Sequence, residues 1–460
     1  MKRAAEQYLS EWKGRALRKP LILRGARQVG KTYLVEDWGR RHFSHVIRLD
    51  LERERSLHPL FATRDPRRLL DEIGFLRNQA LVPGESLLFL DEIQACPSAL
   101  PVLGDFRELQ PDQHVIAAGS LLDFALRDFA HSMPVGRIEY LYLQPLCFRE
   151  FLEAAGANSL AGFLQAFRVG DEINGAIRAE LTEHLRRYLF VGGMPEAAAA
   201  HAAGASLIDV RRIQSSITTT LQDDFARYGT RAQQDLLHRA FTYVAQHVGQ
   251  QIKYANVSGD NRAADVARAL GLLEASRVIH RVSHTAANGV PLGAEVNPKR
   301  FKTLFLDVGL ISQISGLTAP WLDDLLAVNE GALAEQFVGQ ELMAAERFFD
   351  DPHLFYWHRE ARNANAEVDY VISAGAELLP VEVKAARGGH LKSMFQFLGD
   401  KHRRKAVRLY DGPAGVERLP LPASPSERVT LLSLPLFLAG EVRRLVNEFC
   451  ESAGPDAARN

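Results

Sequence analysis

The sequence predicts an α/β protein of several domains, and three observations carry that expectation. A short apolar run, LILR (residues 21–24), leads through a glycine-flanked loop into KTYLVEDWGRR, whose apolar residues have helical spacing. A second apolar run, SLLFLDEIQ (86–94), ends in two acids, as a strand buried on both faces of a parallel sheet does at its ligand-facing end. The last third sets an amphipathic helix, GALAEQFVGQELMAAERFF (331–349), before strand-like HLFYWHRE, AEVDYVIS and AELLPVEVKAARG. At 460 residues the chain is too long for one core, and about two to four domains are expected.

The first element is the loop between LILR and the helix. Gly25, Gly30, Lys31 and Thr32 fit G-x-x-x-x-G-K-[ST], with Ala26, Arg27, Gln28 and Val29 between the glycines. Such a loop aims backbone N–H groups and a helix N-terminus at phosphate oxygens. Lys31 would meet the β- and γ-phosphates and the Thr32 hydroxyl would ligate Mg²⁺. The competing reading is a plain strand–turn–helix corner.

The acid-ended strand answers that doubt. Asp91 would hold the Mg²⁺, and Glu92 would orient and deprotonate the attacking water. ATP and Mg²⁺ are therefore the expected cofactors. A third apolar run, HVIAAGS, ends in Gly119 and Ser120 and precedes LLDFALRDF. Ser120 either faces the phosphates or caps the following helix. Arg137, after a glycine in MPVGRIEY, is a candidate for neutralising transition-state charge or else a partner in a surface ion pair.

Composition excludes several classes. Hydrophobic residues are 47% and charged residues 24%, with 55 Lys and Arg nearly cancelled to a net charge of −1. That balance does not announce nucleic acid, though it leaves room for a local basic face. Cys96, Cys147 and Cys450 are the three cysteines; they lack metal-ligand spacing and fit a reducing compartment. MKRAAEQYLSEWKGR lacks the apolar core of a signal peptide, and no apolar run approaches the roughly 20 residues of a membrane span. The expectation is a cytoplasmic protein with no membrane partner.

The middle of the chain reads as helices. AELTEHLRRYLFVGGMPEAAAAHAA is broken at Gly192, Gly193 and Pro195. Further on, RAADVARALGLLEA leads to an alternating run, RVIHRVSHT, a turn and a second short strand. Helices followed by a hairpin suggest a winged helix, with Arg262, Arg268 and Arg277 as a modest basic face. The helix before the wing is short of Asn and Gln, which argues against reading of base sequence.

In the last third, Glu382 and Lys384 are two apart on one strand and so share a face. Asp369 is expected near the middle of the preceding strand, and Glu335 lies on the helix before both. Two carboxylates and a lysine on neighbouring strands suit metal-assisted phosphodiester cleavage. The order resembles the PD-(D/E)XK nuclease superfamily, in which a helical glutamate precedes the strands. The resemblance implies Glu335, Asp369 and Glu382 around a second Mg²⁺ or Mn²⁺, with Lys384 positioning the water. Surface salt bridging on a sheet, or a decayed nuclease fold kept for packing, is the alternative.

From about residue 15 to about 435 the chain resembles a bacterial and archaeal family of AAA-type ATP-binding proteins. GARQVGKT, LLFLDEIQ, AAGSLLDFAL, GRIEYLYLQPLCFREFL, YLFVGGMPEA, VPLGAEVNPKRFKTLFLDVGL, GALAEQFVGQEL, YWHRE, AEVDYVI and PVEVKAA carry the likeness. It implies a P-loop ATPase module followed by a C-terminal domain of unknown function, and a γ-phosphate sensor at Ser120. The expected division is an AAA-type parallel-sheet ATPase with a helical lid over 1–205, a helical or winged-helix module over 206–328, and a restriction-endonuclease-like α/β domain over 329–460. Two functions remain in play. One is an ATPase that binds or processes DNA; the other is a nucleotide-dependent switch that engages DNA, a protein or a second copy through an inactive nuclease fold.

Overall fold

The structure is a computed structural model and describes residues 1–119, 134, 136–227, 230–317, 331–360, 366–385 and 391–452. The chain forms two compact units. The first comprises Met1–Pro145 with Leu272–Val278 and Arg347–Asp351; the second comprises Leu146–Gly271, Ile279–Glu346 and Pro352–Asn460. The second unit therefore runs across positions 205 and 328, where the sequence suggested boundaries.

The first unit is built on strands β1 (Leu21–Arg24), β2 (His45–Asp50), β3 (Ser86–Asp91), β4 (His114–Ala118) and β5 (Glu139–Tyr142). They form one sheet in the order β2-β3-β4-β1-β5, with every pair parallel. All residues of β3 and β4 are buried, which is why these runs read as unbroken apolar stretches rather than as alternation. Helices α1 (Ala5–Gly14), α2 (Lys31–His42), α3 (Pro66–Arg77) and α4 (Ala99–Leu109) pack with the sheet. The start of α3 was written locally: Asp65 accepts from the Arg67 N–H and Pro66 takes the first turn, where its missing N–H costs nothing. The core gathers Ile22, Leu49, Leu88, Leu90, Leu100, Leu103 and Phe106. The C-terminal ends of β1 and β3, with β4 between them, frame the crevice where open parallel sheets bind ligands.

The second unit holds two further sheets among the described residues. One, ordered β7-β6-β8-β9, contains β6 (Ile279–Thr285), β7 (Val296–Phe305), β8 (Leu354–His358) and β9 (Glu367–Val368). The other, ordered β10-β11-β12-β14-β13, contains β10 (Tyr370–Ala374), β11 (Glu377–Lys384), β12 (Lys405–Tyr410), β13 (Gly415–Leu421) and β14 (Ser424–Pro435). The expected hairpin is β6 and β7, which pair antiparallel, but it does not end there: β8 joins β6 in parallel and extends it into a sheet.

Asp369 is not in mid-strand as the sequence suggested. It falls between β9, which pairs with β8, and β10, which pairs with β11. Its carboxylate accepts the Val383 N–H at 2.7 Å, a side-chain substitute for a ladder bond at the point where the chain changes sheets.

Polar contacts set the rest of this unit. The break in YLFVGGMPEA has a steric cause, since a Cβ on Gly193 would lie 2.1 Å from the Leu146 carbonyl oxygen. The fully buried Asp307 carboxylate accepts from the N–H groups of Gly193, Gly309 and Leu310. The helix Ala332–Ala344 is likewise held by buried amides and acid: Gln336 bonds both backbone groups of Phe305, Gln340 accepts from the Val308 N–H, and Glu341 accepts from the Phe148 N–H. Among the described residues no helix is long and apolar enough to cross a membrane.

Candidate nucleotide-binding site and a buried ion cluster

Gly25 through Thr32 form one turn from β1 into α2. Gly25 has no room for a side chain, because a Cβ would meet the Leu143 carbonyl oxygen at 2.4 Å. Between the two glycines run Ala26, Arg27, Gln28 and Val29. Gln28 and Gly30 both take left-handed backbone angles, φ 64° and 89°, so successive N–H groups curl toward a common centre as in an anion-binding nest. Lys31 opens the helix and is 6% exposed. Its ammonium donates to the carbonyls of Gly25 at 2.9 Å and Ala26 at 2.8 Å. Burial pulls its pKa down to about 8, against the opposing pull of Glu92 and Asp91.

β3 delivers the acids. Asp91 is 2% exposed and accepts the Thr32 hydroxyl at 2.9 Å through Oδ2. Arg48, on β2, reaches the same oxygen at 2.8 Å, and also Glu36 at 3.1 Å and Asp50 at 3.3 Å. Burial raises the Asp91 pKa, while the Thr32 bond and Arg48 restrain it. Glu92 follows in a left-handed conformation, φ 49°, and its Oε2 accepts from the Gln94 amide at 2.5 Å. The structure thus brings Lys31, Thr32, Asp91 and Glu92 into one neighbourhood. A hydroxyl and a carboxylate oxygen side by side are hard donors of the kind Mg²⁺ takes, so Thr32 and Asp91 fit that ion.

Other residues fall elsewhere. Ser120 lies outside the described residues. Arg137 pairs with Glu108 at 2.9 Å, with about half of each side chain exposed, the geometry of a surface ion pair. Arg277 does not join Arg262 and Arg268 on a solvated basic face. It is 9% exposed, grips both oxygens of Asp351 at 2.9 and 3.1 Å, and lies over the Tyr142 ring. Arg48 was missed by sequence reasoning. Its signal is a cation between Ile47 and Leu49, the two buried residues of HVIRLD.

In the second unit, Glu382 and Lys384 do share a face of β11, an inner strand, and pair at 2.6 Å. Asp369 lies beside them through its bond to Val383. Glu335 sits in the first turn of the 332–344 helix. A residue absent from the expected set lies among them: Lys302, on β7, is 1% exposed and sits 3.0 Å from Glu335 and 2.5 Å from Glu367. Burial works to lower the Lys302 pKa, but Glu335, Glu367 and Asp369 outweigh it and hold the lysine charged. Burial pushes Glu382 up to about 7, Asp369 adding to the rise and Lys384 opposing it. Among the described residues no group of three or more His, Cys, Asp or Glu side chains is placed to hold a metal ion. The Glu335–Asp369–Glu382 shell expected for a second Mg²⁺ or Mn²⁺ is not such a group, and Glu335 pairs with Lys302 instead. Lys302 too had a sequence signal, a cation inside the apolar run RFKTLFLDV.

Comparison with known proteins gives three matched segments. Residues 182–320 match a domain of unknown function (DUF8612), and residues 330–424 match another (DUF4143). Among solved structures, the Walker-type ATPase PABY2304 of Pyrococcus abyssi is 17% identical, over 68% of this chain and 95% of that one, with a TM-score of 0.45. The ORC2 protein of Aeropyrum pernix in its ADPNP–ADP complexes is 12% identical, over 71% and 95%, with a TM-score of 0.37. The ORC1 protein of Aeropyrum pernix in complex with DNA is 14% identical, over 70% and 93%, with a TM-score of 0.29. No curated protein matches the chain. Residues 17–152 match the AAA domain family, a span that contains the loop between β1 and α2.

Proposed function

We propose that the first unit binds ATP with Mg²⁺ and hydrolyses it, and that the nucleotide state governs engagement of DNA by the second unit. One observation carries the first half. Lys31 is a buried ammonium held by backbone carbonyls rather than by a carboxylate, a partnership that phosphate oxygens can replace with gain. In this reading Gly25 to Thr32 wrap the phosphates, and Lys31 exchanges the carbonyls of Gly25 and Ala26 for β- and γ-oxygens. Thr32 and Asp91 hold the Mg²⁺, which when bound shares the negative charge of the phosphates. Arg48 must then yield the Asp91 Oδ2 atom it shares with Thr32. Glu92 takes a proton from water as its oxygen attacks the γ-phosphorus, and the bond from that phosphorus to the ADP oxygen breaks. Ser120 and Arg137 are assigned supporting roles toward the γ-phosphate. DNA is assigned to the β6–β7 hairpin, where Lys299 is exposed.

The test separates binding from turnover. Lys31→Ala should weaken ATP binding about 100-fold, the loss of a charge-assisted contact of about 2–3 kcal/mol. Glu92→Gln should bind ATP as the parent does and release phosphate about 10²–10³-fold more slowly. Parent-like ATP binding by Lys31→Ala would remove the loop from the function.

A second reading gives the second unit a metal-dependent nuclease role through Glu335, Asp369, Glu382 and Lys384. It is favoured by the Asp369 carboxylate lying beside the Glu382–Lys384 strand, and it needs a divalent ion at those carboxylates.

A further inference from the structure

The acidic cluster of the second unit already contains a cation. Lys302 reaches it from β7, Glu335 from the 332–344 helix, Glu367 from β9, Asp369 from the β9–β10 junction, and Glu382 and Lys384 from β11. The lysine is sequestered rather than passing. Its side chain is 1% exposed, and its ammonium lies 5.2 Å from the centre of the Tyr356 ring, which adds a π-face to the two carboxylates. Neighbouring backbone closes on the same group: a Cβ on Gly249 would meet Glu335 Oε2 at 2.4 Å, and Gln251 pairs with Lys302 as a β-bridge.

A divalent ion bound by three carboxylates needs all of them within about 2–2.6 Å of one point. Lys302 instead divides the acids. Glu335 and Glu367 face its ammonium, Glu382 faces Lys384, and Asp369 spends one oxygen on the Val383 N–H. Acids gathered from several elements repel unless some cation joins them, and here the chain supplies its own.

We propose that Lys302 is the resident cation of this cluster, standing where a divalent metal would otherwise sit, so that the second unit keeps its fold without a metal there. Lysine and metal are then alternatives. With Lys302 in place the carboxylates tie the helix, β7 and the β9–β10 junction together, and metal-assisted strand cleavage is not their task. This inference is independent of ATP binding by the first unit.

The deciding measurement is Mn²⁺ uptake by the nucleotide-free full chain, followed by electron paramagnetic resonance of the free ion. The parent and Asp369→Asn should take up Mn²⁺ identically. Lys302→Met should gain one ion per chain, at least tenfold tighter than any held by the parent, and Lys302→Met with Asp369→Asn should lose it. Mn²⁺ bound by the parent but lost in Asp369→Asn would overturn the proposal and favour a resident metal. Folded Lys302→Met that gains no ion would equally overturn the exchange of lysine for metal. If Lys302→Met does not fold, the parent and Asp369→Asn comparison still decides.

Discussion

The two units each set a buried lysine near acids, yet they treat that lysine in opposite ways. In the first unit Lys31 is held by the Gly25 and Ala26 carbonyls, and the nearby Asp91 is bonded to Thr32 and Arg48. In the second, Lys302 is gripped by Glu335 and Glu367 themselves. Burial lowers the pKa of the first lysine, whereas carboxylates raise that of the second. A cation whose charge the protein leaves poorly compensated suits an anion from outside; a cation already matched is part of the framework.

That contrast is sharpest in stability. Lys302→Met removes one side of a buried pair and should cost about 3–5 kcal/mol in urea unfolding. Lys31→Met should instead stabilise the nucleotide-free protein by about 1–3 kcal/mol, since a pKa of about 8 in place of 10.5 penalises folding by about 1.4 kcal/mol per unit. The sign follows from protons bound. Between about pH 8 and 10.5 the unfolded chain keeps the proton and the folded chain has lost it, so this penalty is present below 8 and fades as pH rises. Equal destabilisation by the two substitutions would break the contrast.

A smaller effect tests the same lysine through its ligand. Above pH 8 the free protein loses the Lys31 charge, so the ATP association constant should fall by about tenfold per pH unit until the lysine titrates in the complex. Calorimetry in buffers of different ionisation enthalpy should register proton uptake on binding. A flat profile from pH 7 to 9.5 would mean that Lys31 does not meet the phosphates. Smallest of all, Arg137→Ala breaks an exposed pair with Glu108 and should change stability by less than about 1 kcal/mol. A loss of ATP turnover beyond tenfold there is the outcome its γ-phosphate role requires; parent-like turnover would leave Arg137 a surface ion pair alone.

The legible parts of the sequence were those whose meaning is local. LILR, the loop to Thr32 and SLLFLD are specified by apolar runs and fixed spacings, and the structure places the strands, the loop and α2 accordingly. Arg48 and Lys302 were not legible as partners, because each contacts an acid far along the chain and no spacing links them. Asp369 misled for a related reason. AEVDYVIS has the alternation of one strand, and only the sheets on either side show that the chain changes partners at the aspartate. Arg277 was read as a surface cation because its partner, Asp351, lies 74 residues away.

The helix Ala332–Ala344 has one further consequence. Most helices dock by apolar fit, and such a face tolerates small slips. This one presents Gln336 to Phe305, Gln340 to Val308 and Tyr188, and Glu341 to Phe148. Sliding it one turn, about 5.4 Å, would strand every one of those groups without water, at about 1–3 kcal/mol each. The helix therefore works as a gauge block: it admits a single seating, and it fixes the spacing between the end of β7 and the segment around Phe148 to within the tolerance of a hydrogen bond.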